Sequence, residues 1–318
     1  MRVLFSGSTH FSLPSLEALV STSDVVAVLT REDKPAGRHK QLHATPVKLY
    51  AQSVGIPCIT PEKLDSHCRE QIARYTPECM ICAAYGKFFG EKFLSLFPKG
   101  SVNIHPSLLP RHRGATPILA ALLANDASTG VSVQKIAAAM DEGDIILQST
   151  RNIRPDHTYH SLTEELASDS AQLVKQLIPR YDTCYALAQQ QNAQNATYTL
   201  KYNSRYGFLQ GWESAEQIVL LSRAYVQPLS GVKVHFKSAV VKIWRAVLVP
   251  EKARIACTHT SSDSAPGTVL GVHNDYGIIV STVRGSFAIQ ELQLEHRKKL
   301  KWKEFIQGNK DIIGVKIY

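Results

Sequence analysis

The sequence has 318 residues, of which 44% are hydrophobic and 20% are charged, and its formal net charge is +9. This length allows two domains, and the composition is that of a globular protein rather than a disordered one. Because no apolar run reaches about 18 residues and no signal region opens the sequence, we expect no membrane span and a cytoplasmic location.

The positive charge is concentrated in the C-terminal third. Residues 205–318 contain 16 Lys and Arg against 9 Asp and Glu, a net charge of +7. Residues 1–204 contain 20 against 18, a net charge of +2. A basic segment beside a near-neutral one suggests an anionic partner, with nucleic acid as the first candidate. A surface charge that only aids solubility would give the same count, so both explanations stay open.

Over the first 150 residues, short β-branched runs alternate with helical patterns. The runs predict strands at 2–6, 25–30, 56–59, 79–84, 101–104, 131–136 and 144–150. The apolar spacing predicts helices near 12–20, 46–54, 66–75 and 162–177. This rhythm indicates a doubly wound, mostly parallel, Rossmann-like sheet with helices on both faces. We assign it to residues 1–188.

The pattern changes after a polar run of Gln, Asn and Ala at 189–197, which predicts a linker over 189–204. Beyond it we predict one helix near 214–225. Strands are predicted at 232–236, 240–248, 267–270, 277–281 and 287–294. Several short strands at close spacing indicate a small β-barrel or sandwich. We assign this second domain to residues 205–318.

The cysteines predict neither disulfides nor a metal site. The six are scattered through a long chain, which is not the pattern of a disulfide framework. Cys79 and Cys82 form a C-x-x-C, but they lie in an apolar run that predicts a buried strand. Because no second C-x-x-C is present, we interpret the pair as core residues and expect no metal.

Several catalytic motifs are missing from the sequence. The turn after the first predicted strand holds one glycine, Gly7, where a dinucleotide-binding fold needs G-x-G-x-x-G. There is no G-x-S-x-G elbow and no G-x-x-x-x-G-K-S/T loop. The sequence therefore disfavours dinucleotide-dependent enzymes and excludes α/β-hydrolases and P-loop enzymes.

The densest polar cluster, 103–114, begins in the strand predicted at 101–104. Open α/β sheets bind ligands at the carboxyl ends of their strands. Asn103 and His105 are two residues apart, so an extended chain projects both to one face. An amide can hydrogen-bond an oxyanion, and an imidazole can move a proton near neutral pH. The pair predicts acyl or proton transfer, although a turn or capping pair would have the same spacing.

A second polar cluster, 140–144, follows the strand predicted at 131–136. A carboxylate there can orient His105, or a water bound to it, and favour the protonated ring. We choose Asp141 over Glu142 and Asp144, since Asp144 begins the next predicted strand. An ordinary turn remains the alternative for this cluster.

These clusters resemble a known family. The run Val-Asn-Ile-His-Pro-Ser-Leu-Leu-Pro-Arg-His-Arg-Gly-Ala-Thr-Pro-Ile (102–118) is similar to the active-site segment of the folate-dependent formyltransferases. Thr-Gly-Val-Ser-Val (129–133) and Met-Asp-Glu-Gly-Asp-Ile (140–145) also resemble that family, at the expected separation. The resemblance implies that Asn103, His105 and Asp141 form the catalytic triad.

The resemblance also implies 10-formyltetrahydrofolate as co-substrate. No metal is implied, because the formyl group of that folate is already activated. The residues expected to line the folate pocket are Tyr85, Gly86, Lys87, Phe88, Ser107, Leu108, Leu109 and Pro110.

Within the family, two features favour the enzymes that formylate the methionine of initiator tRNA. Residues 31–48 resemble the basic loop that contacts the acceptor stem, so we expect Arg38, Lys40 and Lys34 to bind tRNA. Residues 198–201 and 241–246 resemble the C-terminal barrel of oligonucleotide-binding (OB) type in these enzymes. Residues 202–212 depart from the family pattern.

Three other functions compete with this hypothesis. A formyltransferase acting on a sugar-nucleotide amine or on glycinamide ribonucleotide keeps the chemistry but needs no extended basic loop. An RNA-binding protein without catalysis does not need the intact Asn103, His105 and Asp141. A dinucleotide-dependent enzyme is disfavoured by the turn at Gly7. We expect a monomer, because basic surfaces repel one another.

Overall fold

The computed structural model describes residues 1–36, 41–202, 207–209, 211–212, 214–226, 229–255 and 264–318. The chain forms two units. The first contains 1–121, 127–153 and 162–201, and the second contains 122–126, 154–161 and 202–318. In the part of the chain that is described, none of the helices has both the length and the hydrophobicity needed to span a bilayer.

The first unit holds most of the helices and strands. Its strands are β1 (Arg2–Gly7), β2 (Asp24–Leu29), β3 (Lys34–Ala36), β4 (Gln41–His43), β5 (Cys58–Ile59), β6 (Cys79–Ala83), β7 (Ser101–His105), β8 (Arg113–Gly114), β9 (Ser128–Lys135), β10 (Ile145–Asn152) and β11 (Tyr198–Thr199). The helices in this part of the chain are α1 (Leu13–Thr22), α2 (Pro46–Ser53), α3 (Ser66–Ala73), α4 (Glu91–Leu94), α5 (Pro117–Leu123), α6 (Tyr159–Leu177) and α7 (Tyr181–Ala186).

Seven of these strands form one sheet in the order β10-β9-β7-β6-β1-β2-β5. β5, β2, β1, β6 and β7 are parallel, whereas β9 is antiparallel to β7 and β10 is antiparallel to β9. The chain runs outward from β1 to β5 and then returns to place β6 on the other side of β1. This switch point puts the carboxyl ends of β1, β6 and β7 at one edge, where such sheets bind ligands. The predicted doubly wound sheet is confirmed.

Local sequence explains where the helices begin. Thr45 precedes α2, its hydroxyl accepts a hydrogen bond from the backbone of Lys48, and Pro46 occupies the first turn. Asp65 caps α3 by accepting from the backbone N–H of Cys68, and this bond lowers the pKa of Asp65. In α6 the buried positions recur every three or four residues, which makes the helix amphipathic.

The predicted linker begins as part of the first unit. Gln189 pairs with Ile145 of β10 through two backbone hydrogen bonds, of 2.7 and 2.8 Å. β11 then pairs with β8 in parallel. The polar composition of this segment predicted a linker. Its backbone nevertheless pairs with strands of the first unit, because backbone hydrogen bonds do not require apolar side chains. The predicted boundaries of linker and domains stay a prediction.

The second unit contains an antiparallel sheet. Its strands are β12 (Val232–Phe236), β13 (Ala239–Leu248), β14 (Val269–His273), β15 (Gly277–Ser281), β16 (Ser286–Leu294) and β17 (Leu300–Lys301). Its helices are α8 (Ala215–Ala224), α9 (Glu251–Ile255) and α10 (Trp302–Gly308). The strand order is β12-β13-β16-β15-β14, and β17 also pairs with β16. The register of β13 on β16 shifts twice, and such bulges bend a sheet.

The C-terminal segment closes this sheet into a barrel. Ile317 donates to the carbonyl of Gly267 at 2.9 Å, and Val269 donates to the carbonyl of Val315 at 3.0 Å. Tyr318 donates to the carbonyl of His235 at 3.0 Å. The tail therefore bonds to both edge strands, β14 and β12, which leaves neither edge open. The predicted barrel is confirmed, although its closing segment was not predicted as a strand.

We expect Ile317→Ala to destabilise the second unit. The Ile317 side chain is 2% exposed, and truncating such a buried residue costs about 2–5 kcal/mol. The chain has three tryptophans, and all of them lie in this unit: Trp212, Trp244 and Trp302. Tryptophan fluorescence during urea unfolding therefore reports selectively on the second unit. Lys316→Ala is the matched control, because that side chain is exposed. Equal midpoints for the two variants would contradict the closure.

The C-x-x-C cysteines lie inside the first unit, on β6. Cys79 and Cys82 are 0% and 5% exposed, and burial raises the pKa of each thiol to about 12. The thiolate is the nucleophile, so both should react very slowly near pH 8. This supports the interpretation of the pair as core residues.

We therefore expect iodoacetamide at pH 8 to leave Cys79 and Cys82 unmodified in the folded protein and to alkylate both in urea. Mass spectrometry of the peptides measures each site separately. The half-buried Cys184 serves as the internal reference in the folded state. Alkylation of Cys82 as fast as Cys184 without denaturant would show that the strand opens readily.

Candidate active site

The candidate site lies at the carboxyl end of β7. Asn103 and His105 alternate along this strand with the buried Val102 and Ile104, so both project to one face. β7 lies between β6 and the antiparallel β9. The loop that follows β9 carries Asp141, and the sheet order thereby brings the three predicted catalytic residues together.

The carboxylate of Asp141 is the point on which the donors converge. Its Oδ1 accepts from Gln134 Nε2 at 2.9 Å and from Asn103 Nδ2 at 3.3 Å. Its Oδ2 accepts from the backbone N–H of Gly114 at 2.8 Å and lies 3.5 Å from His105 Nδ1. These contacts satisfy a charged carboxylate whose side chain is only 10% exposed. The choice of Asp141 over its acidic neighbours rested on little more than spacing, and the geometry supports it.

The ring of His105 is held at both nitrogens. It is 4% exposed, and its Nε2 lies 2.9 Å from the carbonyl oxygen of His112, which can only accept. Nε2 must therefore carry a proton, and Nδ1 faces the Asp141 carboxylate. An acceptor therefore lies beside each ring nitrogen.

Three non-glycine residues around the site have left-handed backbones. The φ angles are 49° at Ala84, 59° at His112 and 57° at Asp141. Ala84 follows β6, His112 supplies the carbonyl that holds His105, and Asp141 supplies the carboxylate. This conformation is unfavourable for residues with a Cβ and persists where surrounding contacts enforce it. The backbone of the site is thus held by its neighbours rather than by local preference.

The predicted folate segment 107–110 is fixed by β9 and β10. Ser132 Oγ donates to the carbonyl of Ser107 at 2.6 Å and accepts from the N–H of Leu109 at 3.1 Å. Gln148 Nε2 lies 2.7 Å from Ser132 Oγ and 3.0 Å from the carbonyl of Leu109. Ser107 and Leu109 are buried, whereas Leu108 and Pro110 are half-buried. The segment therefore presents Leu108 and Pro110 on a rigid backbone.

The second predicted folate segment, 85–88, is held by Arg31. Its guanidinium donates to the carbonyls of Tyr85, at 2.9 Å, and Gly86, at 2.8 Å. The φ of Gly86 is +78°, and a Cβ there would lie 2.3 Å from the guanidinium, so glycine is required. Tyr85 is buried, and its ring stacks on Phe89.

The side chains of the next two residues of that segment differ in their surroundings. Lys87 Nζ donates to the carbonyls of Pro61, at 2.7 Å, and Glu62, at 2.6 Å, so its ammonium group is held against the backbone of another loop. Phe88 is 64% exposed. Of the three side chains in segment 85–88, Phe88 is the one that reaches solvent as a large apolar group.

The predicted tRNA contacts are only partly described. Lys34 is exposed on β3, which pairs with β4 in a short hairpin. Lys48 Nζ forms an ion pair with Asp33 at 2.8 Å beside this hairpin. Arg38 and Lys40 lie outside the described residues. The hairpin itself was not predicted, because strands of three residues leave almost no periodic signal.

A buried polar network that was not predicted from the sequence lies behind Asp141. Arg113 and Gln191, 3% and 7% exposed, join Gln134, which is 1% exposed. Arg113 Nη1 also contacts Glu142 and the Tyr198 hydroxyl, at 2.9 and 2.8 Å. Gln134 alternates with apolar residues on β9, which could have indicated its inward direction. No sequence signal marked Gln191.

Among the residues that the structure describes, no group of three or more His, Cys, Asp or Glu side chains could hold a metal ion. The side chains that meet at the site are an amide donor, an imidazole and a buried carboxylate, a set suited to stabilising an oxyanion and moving a proton.

Comparisons with known proteins agree with this chemistry. The chain matches the family described as "Formyl transferase" over residues 1–178 and "Formyl transferase, C-terminal domain" over residues 211–310. It is 32% identical over 321 residues to a methionyl-tRNA formyltransferase of Treponema denticola, covering 98% of each chain.

Two solved structures share the fold at low identity. One is an N-formyltransferase from Helicobacter canadensis in complex with folinic acid and dTDP-3-aminofucose, with a TM-score of 0.64 and 19% identity. The match covers 90% of this chain and 98% of that one. The other is HypX from Aquifex aeolicus in complex with tetrahydrofolic acid, with a TM-score of 0.63 and 14% identity. That match covers 96% of this chain but only 47% of HypX.

The two family matches together span both structural units, and the relative from Treponema denticola aligns along nearly the whole chain. The chain belongs to the formyl transferase family.

Proposed function

We propose that this enzyme transfers the formyl group of 10-formyltetrahydrofolate to the α-amine of methionyl-initiator tRNA. The observation that carries the proposal is the convergence of Asn103, His105 and Asp141 at the end of β7, in a chain of this family. The acceptor follows from the full-length relative, which is a methionyl-tRNA formyltransferase. The basic composition of residues 205–318 agrees with a nucleic-acid substrate.

The reaction is an acyl transfer from nitrogen to nitrogen. The neutral methionine amine attacks the formyl carbon and forms a tetrahedral oxyanion. The bond from that carbon to N10 then breaks, the amine loses a proton and N10 gains one. The products are formylmethionyl-tRNA and tetrahydrofolate, and the atoms balance without a metal or a redox partner.

Each triad member has a role that its contacts support. Asn103 donates one amide hydrogen to Asp141 and has a second for the oxyanion. The protonated His105 ring adds positive charge beside the oxyanion, and it supplies the proton that N10 needs once a ring N–H leaves its acceptor, the His112 carbonyl or the Asp141 carboxylate. Asp141 stabilises that protonated ring and, through its contact with Asn103, keeps the amide aligned. Donors held in a buried site need no rearrangement when the charge develops.

Folate binding is assigned to the two segments beside the triad. The rigid backbone of 107–110 and the exposed Phe88 offer apolar contact to the pterin or to the benzoyl ring. This surface is supported by Arg31, which holds the carbonyls of Tyr85 and Gly86, and by the Lys87 side chain, which bonds to the Pro61 carbonyl. A cytoplasmic monomer remains our expectation for this enzyme.

We expect His105→Ala to reduce kcat by about 10²–10⁴-fold, because the general acid is removed. Asn103→Ala should lower kcat by about 10²–10³-fold, the usual cost of one oxyanion donor. The measurement is formylation of charged initiator tRNA with 10-formyltetrahydrofolate. His67→Ala, at an exposed position on α3, is the matched control and should keep full activity. Formylation of a dTDP-amino sugar instead of tRNA would assign a different acceptor.

We expect the basic hairpin region to supply phosphate contacts to tRNA. Arg38→Ala, Lys40→Ala and Lys34→Ala should each raise the KM for tRNA and leave the KM for folate unchanged. Each phosphate contact releases counterions from the tRNA when the complex forms. A variant that lacks one contact releases fewer of them, so the slope of log affinity against log salt concentration should become shallower by about one unit. Lys175→Ala, exposed on α6, is the control. Near-normal formylation of initiator tRNA by Arg38→Ala would refute this assignment.

A further inference from the structure

Gln191 is a buried residue in a polar segment whose other residues are mostly exposed. Its neighbours Gln189 and Gln190 are exposed, whereas Gln191 is 7% exposed. The backbone pairing of Gln189 with Ile145 anchors this stretch on β10. The side chain of Gln191 therefore enters the first unit beside the loop that carries Asp141.

The amide nitrogen of Gln191 binds that loop at two points. Nε2 lies 2.9 Å from the carbonyl oxygen of Asp141 and 2.7 Å from that of Gly143. It is also 3.2 Å from Gln134 Oε1, and Gln134 in turn donates to the Asp141 carboxylate. One side chain thus reaches Asp141 both through its backbone and through a neighbouring amide.

The amide oxygen of Gln191 fixes which way the group points. Oε1 accepts from Arg113 Nε at 3.1 Å and from Arg113 Nη2 at 2.9 Å. A guanidinium has no acceptor, so the oxygen must face Arg113 and the nitrogen must face the carbonyls. Arg113 is itself 3% exposed and paired with Glu142. The orientation of Gln191 follows from this pairing.

The loop needs such a clamp. Asp141 has a φ of 57°, a conformation that a residue with a Cβ keeps only under constraint. Gly143 packs so closely on β9 that a Cβ would lie 1.9 Å from the carbonyl of Lys135. The two carbonyls bound by Gln191 bracket this turn. The Gln191 bonds to these carbonyls thus hold the backbone of the turn, in addition to the donors that hold the Asp141 carboxylate itself.

We infer that Gln191 is a positioning residue for formyl transfer, acting on His105 through Asp141. It clamps the Asp141–Gly143 turn and touches neither substrate. The inference rests on the proposed function for its kinetic readout. It also predicts a structural effect on the turn that can be measured without any substrate.

The kinetic experiment compares Gln191→Ala and Gln191→Glu with Gln190→Ala as the matched control. Glutamate keeps the acceptor for Arg113 and the side-chain size, but it cannot donate to the two carbonyls. We expect both Gln191 variants to lose about 10²-fold in kcat, the cost of a displaced catalytic group, with KM for both substrates unchanged. The Gln190 variant should match the parent enzyme. Full activity of Gln191→Glu would show that the residue only pairs with Arg113, which would overturn the inference.

A double-mutant cycle tests whether the effect passes through Asp141. In an Asp141→Asn background, Gln191→Ala should cost almost nothing more in kcat, because residues acting as one unit are not additive. If the loss in kcat of the double variant instead equals the product of the two single losses, Gln191 does not act through Asp141, and the inference is overturned.

Hydrogen exchange by mass spectrometry separates this inference from the proposed function. The peptide spanning 140–144 should exchange faster in Gln191→Ala and Gln191→Glu than in Gln190→Ala. If the parent enzyme forms no formylmethionyl-tRNA, the proposed function is wrong. The exchange rates of the 140–144 peptide still show whether Gln191 holds the turn, because that measurement needs no substrate. Unchanged exchange in both Gln191 variants would overturn the clamp, whatever the enzyme formylates.

Discussion

The site depends on one buried negative charge. A carboxylate that leaves water is costly unless several donors replace its hydration, and Asp141 has donors on both oxygens. These donors come from β7, from β9 and from the backbone that precedes α5, so the charge can be satisfied only when distant parts of the first unit are folded together. The same carboxylate lies beside His105, so the fold that satisfies the charge also sets the position of the imidazole.

The precision of the site comes from polar groups that are fully used. Ser132 donates once and accepts from two groups, and Arg31 holds two carbonyls beside the left-handed Ala84. Buried networks of this kind are rigid because each broken bond exposes an unpaired group to a low dielectric. Strained backbone at Asp141 and His112 persists for the same reason. Preorganised donors are what acyl transfer requires, since reorganisation would add to the barrier.

The second unit follows a different principle. Its antiparallel sheet has two edges, and the last residues of the chain bond to both of them. Closure removes unpaired backbone groups that would otherwise invite pairing with other chains. It also provides a stable surface for the basic residues that dominate 205–318. The net positive charge of this segment suits a polyanionic substrate.

Sequence alone determined the periodic and the chemically dense features of this protein. The parallel sheet followed from alternating patterns, and Asn103 and His105 stood out because two functional side chains lay two residues apart at a strand end. Only the tertiary structure decided which acidic residue faces the imidazole and that the Lys87 ammonium group bonds to the Pro61 carbonyl. It also decided that Gln191, in a polar and mostly exposed run, has a buried side chain that bonds to a loop 48 residues earlier. The physical reason is that hydrogen bonds between residues distant in sequence leave no periodicity, and a buried glutamine has the same letter as a solvated one.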